Sequence, residues 1–187
     1  MTRIAILASD NMLPDSLSQR SDCFERDEQM SKLAAASAPF GMTLDIVRWR
    51  EAADRSNQFD AMLPLFVWDY FEGNEAAFLE QMFQAAQQTS VFNPPELLEW
   101  NSDKSYLEDL AREGLPVIAT RTVNHVSSAN VQQAFDDFGV DSLVIKPQVG
   151  GGAWRQVLQH RHEPLATADE LPPGEALLQA FLPSVRE

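Results

Sequence analysis

Asn93-Pro94-Pro95 is the feature that most constrains how this chain can fold. Two successive prolines remove two backbone donors, so neither a helix interior nor a central strand can run through them. The stretch reads as a boundary between residues 1–93 and residues 94–187, and the two sides have different rhythms.

The first side alternates. Arg3–Ser9 is a short apolar run ending in Ser-Asp-Asn, as expected of a buried strand that delivers polar groups to a sheet edge. A helix from about Glu25 to Ala38 is stopped by Pro39 and Gly41. Thr43–Trp49 and Ala61–Trp68 follow as strands, the latter with Pro64 demanding an edge or a bulge. Asn74 is placed to cap a helix whose Phe78, Leu79, Met82, Phe83 and Ala86 share one face, and Val91–Phe92 makes a short fourth strand. Such alternation implies right-handed βαβ units and a small parallel sheet.

The second side reads as an α+β unit. A helix is expected from Asn101 or Ser102 to Arg112 with Gly114 as its stop, then a strand at Pro116–Thr120. Ser127 or Ser128 starts a helix with Val131, Ala134, Phe135 and Phe138 inward, ended by Gly139. Leu143–Lys146 and Arg155–His160 read as strands joined by a glycine-rich connection, and Ala176–Leu182 as a final strand closed by Pro183.

Composition excludes several roles. Twenty-eight Asp+Glu against 14 Lys+Arg give a net charge of −14, which opposes both a nucleic-acid grip built on clustered cations and docking on anionic membranes. Cys23 is the single cysteine, so no internal disulfide forms and a reducing, cytoplasmic setting is the default. The N-terminal apolar stretch of about five residues is too short for a signal peptide or a spanning helix.

Chemistry concentrates in the second half. Lys146 ends an apolar strand, a costly place for a cation unless an anion or a solvent opening compensates it; a lysine that reaches solvent is the plain alternative. Gly150-Gly151-Gly152 follow in a connection longer than a hairpin needs, and successive glycines let backbone N–H groups approach a phosphate closely. Ser142 to His162 contains no acid although the chain is two-to-one acidic, making Lys146, Arg155 and Arg161 a cationic island. The loop is neither G-x-x-x-x-G-K-[ST] nor a Rossmann fingerprint, both of which open a helix. Lys104 falls in the first turn of its expected helix, where the dipole disfavours a cation unless both face one anion; Asp103 beside it offers the ordinary offset.

Together Asn101–Leu107, Leu115–Thr120, Val144–Pro147 with its glycine loop, and Leu178–Pro183 occur in an order that resembles the ATP-grasp superfamily, in the branch of glutathione synthetase and cycloserine-forming ligases. The resemblance covers nearly the whole chain. It implies an α/β fold: a small parallel-sheet pre-ATP-grasp (Rossmann-like) domain over 1–93, then the first ATP-grasp lobe over 94–187. It also implies that Lys104 reaches the nucleotide phosphates, that Lys146 contacts the α-phosphate side, and that Gly150, Gly151 and Gly152 close over the β- and γ-phosphates. Gln179, Ala180, Phe181 and Leu182 correspond to the segment that holds adenine, although the position of Gln179 often carries an acid in such proteins. Trp154 and Arg155 depart from the small residues expected at the loop's end.

In the family the Mg²⁺ ligands and the arginine that stabilises an acylphosphate lie in a second lobe, so the resemblance places metal and catalytic residues outside this chain and reads it as the front part of a ligase. The implied reaction is ATP-dependent joining of a small-molecule carboxylate to an amine or thiol through an acylphosphate, releasing ADP, for which this chain alone is not competent. The rival is a non-catalytic nucleotide-binding or interaction module, which predicts a homodimer covering the open face. A simple Rossmann binder over the first ninety residues is disfavoured by the missing glycine fingerprint after the first strand.

Asp10 and Asn11 after the first strand, and Trp68 and Asp69 after the third, stand at the carboxyl edge where open α/β sheets bind ligands, and are candidates for contacting the second substrate. Capping and packing are their ordinary alternative. His160 and His162 share a strand face without a third ligand nearby, His125 has no evident partner, and no base accompanies Cys23.

Overall fold

The computed structural model describes residues 2–186; Glu187, the last residue of the expected second domain, lies outside them. The chain forms two compact units dividing between Trp100 and Asn101.

In the first unit, β1 (Thr2–Ala8), β2 (Met42–Arg48), β3 (Ala61–Phe66) and β4 (Ser90–Val91) make a parallel sheet in the order β2-β1-β3-β4. Successive side chains of β1 leave on opposite faces. Ala5 and Leu7 join a core with Val47, Trp49, Met62 and, from α3 (Glu75–Ala85), Phe78 and Met82; the short α2 (Ala52–Arg55) adds Ala52. Ile6 and Ala8 join a second core with Met12, Leu13, Phe66 and Cys23 of α1 (Cys23–Ser37). Trp49 meets Phe78 edge to face at 5.7 Å.

Pro64 is accommodated in both ways a proline allows. The β1/β3 register shifts between Ile6 and Ala8, and β4 pairs with β3 only at Ala61 and Met62, so β4 has no rung beside Pro64. Asn74 precedes α3 but does not cap it: its amide donates to Asp69 O at 2.8 Å instead.

Pro94-Pro95 open α4 (Pro95–Ser102), since the first helical position needs no donor. Leu98 of α4 packs on the first unit's core, which carries that unit past the proline pair to Trp100. The helix expected from Asn101 to Arg112 is divided. α4 ends at Ser102 and α5 spans Tyr106–Arg112. Asp103 breaks it by accepting the Ser105 N–H at 2.7 Å, a local turn that competes with helix, and by forming an antiparallel bridge to Val149.

The second unit packs α6 (Ser128–Phe138) on an antiparallel sheet of β5 (Thr120–Val123), β6 (Ser142–Pro147), β7 (Val157–His160) and β8 (Ala176–Ala180), in the order β5-β8-β6-β7. β5 starts where the strand expected at Pro116–Thr120 was to end, and its Thr-Arg-Thr-Val pairs along β8. Val131, Ala134 and Phe135 of α6 meet Leu143, Ile145 and Leu178 of the sheet. Ser127 and Asn130 form a reciprocal capping box, and Gly139 ends the helix at φ 64°. Among the described residues no helix is long and apolar enough to cross a membrane.

Candidate functional site

Period two in β6 sends Leu143 and Ile145 toward α6 and therefore Val144 and Lys146 to the opposite sheet face. Gln179 is paired with Val144 across the β6/β8 ladder and with Thr120 across β5/β8, so Thr120, Gln179 and Lys146 share that face. They form a continuous chain. Lys146 Nζ donates to Gln179 Oε1 at 2.8 Å, Gln179 Nε2 donates to Thr120 Oγ1 at 2.8 Å, and the Thr120 hydroxyl donates to Ile118 O at 2.8 Å. Burial pushes the Lys146 ammonium below its usual range.

A cavity of about 240 Å³ opens beside this lysine, lined by Lys104, Lys146–Pro147, Gly150–Trp154 and Gln156. The structure thus brings five of the named residues, Lys104, Lys146, Gly150, Gly151 and Gly152, to one wall. Lys104 is not within a helix first turn as expected; it lies in the Asp103–Ser105 turn directly ahead of α5, where its carbonyl oxygen accepts the Leu107 N–H at 3.1 Å. Its Nζ donates to Gly150 O at 2.6 Å and Gln148 O at 3.3 Å, and its backbone N–H donates to Gln148 O at 3.0 Å. The Gln148 amide in turn donates to both Asp103 carboxylate oxygens, at 2.9 and 2.8 Å. The start of the glycine loop is therefore clamped to the 103–104 turn.

Glycine is favoured at two loop positions for different reasons. A Cβ on Gly150 would stand 2.7 Å from the Pro147 ring, and Gly152 has φ 56°. The left-handed backbone continues at Ala153 and Arg155, with φ of 59° and 48°.

Of the cationic island, only Lys146 faces this cavity. Arg155 is turned away to the carbonyls of Asp169 and Leu171, at 2.5 and 3.1 Å, where it anchors the far end of the loop. Arg161 pairs with Asp136 at 2.5 Å and stacks on Phe135, a structural role on α6. In the expected adenine segment, the Ala180 and Phe181 N–H groups are committed to Ala119 O and Ser142 O, at 2.9 and 3.1 Å, while Leu182 is exposed. His160 Nδ1 lies 2.9 Å from Ser142 Oγ, its cross-strand partner.

The candidates of the first unit also come together, at the carboxyl ends of β1 and β3. Ser9, fully buried, donates its hydroxyl to Asn11 Oδ1 at 2.6 Å and accepts the Trp68 N–H at 3.2 Å. Asp10 pairs with Arg48 at 2.9 Å; Asp69 accepts the Trp49 indole N–H at 2.7 Å and stands 3.5 Å from Arg50. Both carboxylates thus have local structural partners.

Sequence reading missed Ser9, Thr120, Gln148 and the anchoring role of Arg155. Only Ser9 carried a signal, as the polar residue that closes the first apolar run.

Residues 4–93 match the family described as the N-terminal domain of D-cycloserine synthetase DcsG. Over 103 residues the chain is 32% identical to the cycloserine biosynthesis protein DcsG of Streptomyces lavendulae, a stretch that is 55% of this chain and 34% of that protein. The crystal structure of D-cycloserine synthetase DcsG is similar over 98% of this chain and 60% of that one, with a TM-score of 0.71 and 24% identity. A RimK domain ATP-grasp protein from Sphaerobacter thermophilus is similar over 97% and 64%, with TM-score 0.61 and 20% identity. D-alanine–D-alanine ligase from Bacillus anthracis follows over 97% and 57%, with TM-score 0.58 and 14% identity. The chain spans about a third of the curated relative and less than two thirds of these solved chains. It has the fold of the N-terminal part of ATP-grasp ligases, and its residues 4–93 match the D-cycloserine synthetase N-terminal domain.

Proposed function

We propose that this chain is the ATP-binding portion of an ADP-forming ligase of the glutathione synthetase-like type, which joins a small-molecule carboxylate to an amine or a thiol. One observation carries the reading: two lysines on separate elements and a glycine loop line one cavity of about 240 Å³. That volume is below the ~300–1,000 Å³ of sites enclosing a whole drug-sized ligand, and suits a phosphate chain better than an entire nucleotide. Bound ATP would supply the phosphoryl group that activates the carboxylate.

The chain's own residues bind and orient. Lys146 and Lys104 place positive charge on the cavity wall, and fixed charge at the place where negative charge develops needs no rearrangement during reaction. Loop closure over Gly150–Gly152 would exclude water from a hydrolysable intermediate. Gln179–Leu182 would meet the base through side chains and carbonyls more readily than through the committed Ala180 and Phe181 N–H groups. Asp10, Asn11, Trp68 and Asp69 are the candidates for the second substrate. Among the described residues no group of three or more His, Cys, Asp or Glu side chains could hold a metal; the Mg²⁺ that ATP-grasp chemistry implies would be held in good part by the phosphates of ATP and by water. The buried, unpaired Cys23 thiol suits a reducing cytoplasm.

ATP titration of the protein by calorimetry tests the reading, with Lys146→Ala as control. Saturable binding that the substitution weakens at least about tenfold is expected, a difference of about 1.4 kcal/mol. Equal affinity in both proteins would remove Lys146 from the site.

A further inference from the structure

This inference rests on reading the lysine-lined cavity as an anion site. We propose that the Trp154 ring is the wall that keeps water out of that cavity, and that Arg155 is a positioning residue that holds the ring there.

Residues 151–156 form two successive tight turns. Trp154 N–H donates to Gly151 O at 3.0 Å around Gly152 and Ala153, whose φ angles are 56° and 59°. Gln156 N–H then donates to Ala153 O at 3.1 Å around Trp154 and Arg155, the latter at φ 48°. Of these three left-handed residues only Gly152 is a glycine, and a Cβ disfavours that conformation. Such a backbone persists where its surroundings hold it. Here the hold is Arg155. Its Nη1 donates to Asp169 O at 2.5 Å and to Leu171 O at 3.1 Å, and Leu171 is itself fixed in the core with Val131 and Phe135 of α6.

The turns decide which side chains reach the cavity. Trp154 and Gln156 both line it, whereas Arg155 between them does not. The Arg155 guanidinium carbon lies 5.7 Å from the centre of the Trp154 ring, so a cation fixed by two carbonyls fixes the electron-rich ring in turn. The indole is the largest apolar group on a wall that carries Lys104 and Lys146. Attraction between an ammonium and a phosphate strengthens as water and salt ions are displaced from around them. A small residue in place of Trp154 would leave both lysines where they are and admit water to the anion. Trp154 and Arg155 are the two residues that depart from the small side chains expected at the loop's end, and this arrangement gives each of them a task.

The test titrates inorganic tripolyphosphate and ATP into wild type and variants by calorimetry at low and high salt, with thermal melting to check folding. The variants are Trp154→Phe, Trp154→Ser, Arg155→Lys, Arg155→Met and the double variant Trp154→Ser/Arg155→Met. Trp154→Ser should weaken both ligands about fivefold, an effect of the size found between contacting groups. Its affinity should also fall more steeply with salt than that of wild type. Trp154→Phe keeps an apolar wall and should lose less. Arg155→Met should resemble Trp154→Ser in both respects, and Arg155→Lys should retain most of the wild-type affinity. The double variant should bind no worse than Trp154→Ser. Wild-type affinity and wild-type salt dependence in Trp154→Ser would overturn the proposal while leaving the anion site standing. A further loss in the double variant would overturn the part given to Arg155, which would then act through its own charge. Should Arg155→Met fail to fold, the two Trp154 variants still decide. If wild type binds neither ligand, the anion-site reading fails and the wall with it.

Discussion

Lys146 leaves β6 on the face away from α6 and meets an amide oxygen rather than a carboxylate, so its charge is held at a cost set by burial. A lysine whose folded pKa lies below its unfolded value opposes folding at neutral pH, and that penalty is relieved as pH rises through the lowered value toward the ordinary one. A bound anion favours the charged form and reverses the sign. ATP affinity should therefore fall as pH rises through the lowered Lys146 pKa, starting below the range of an ordinary lysine. Calorimetric titrations across the alkaline range check this; an affinity flat until the ordinary lysine range would contradict it. Gly150→Ala should cost about 1–3 kcal/mol of stability, because its Cβ meets the Pro147 ring at 2.7 Å, and the loop shift that relieves this contact should weaken ATP binding by disturbing the Lys104 bond to Gly150 O. Thermal melting with ATP titration reads both. At this scale Lys146 and the glycines were legible because a cation ending an apolar strand and three glycines are each anomalous. Arg155 and Arg161 were misjudged: an acid-free stretch says which charges are near in sequence, not which way β7 and its flanking turns aim them.

Elements were readable where their ends are written locally. Ser127, Asn130 and Gly139 delimit α6 through side-chain caps and a left-handed stop, all within the helix's own sequence. Ser127→Ala should destabilise the protein by about 1 kcal/mol through loss of the cap, seen as a lower melting temperature; an unchanged one would deny the capping box its role. The division of α4 from α5 was not readable, because the bridge that breaks it joins Asp103 to Val149, far along the chain. The late start of β5 has the same origin: its extent is fixed by pairing with β8, and pairing partners are not visible in a local pattern.

For the whole molecule, the two units differ in architecture, a parallel sheet in the first and an antiparallel one in the second, and they divide between Trp100 and Asn101 rather than at the proline pair. Class was legible because alternating strands and helices permit few topologies. The order β5-β8-β6-β7 was not, and with it went the Lys146–Gln179–Thr120 chain, which exists only once three distant strands are in register. A ligand that binds only the folded protein stabilises it by mass action, so ATP at a hundred times its Kd should add about 2.7 kcal/mol to unfolding. The most direct test of the central claim is calorimetric titration of ATP into wild type, Lys104→Ala and Lys146→Ala under one buffer and salt. The account predicts saturable binding to wild type and a loss of about tenfold or more in each variant; equal affinity in all three would contradict an anion site built by these two lysines and the glycine loop.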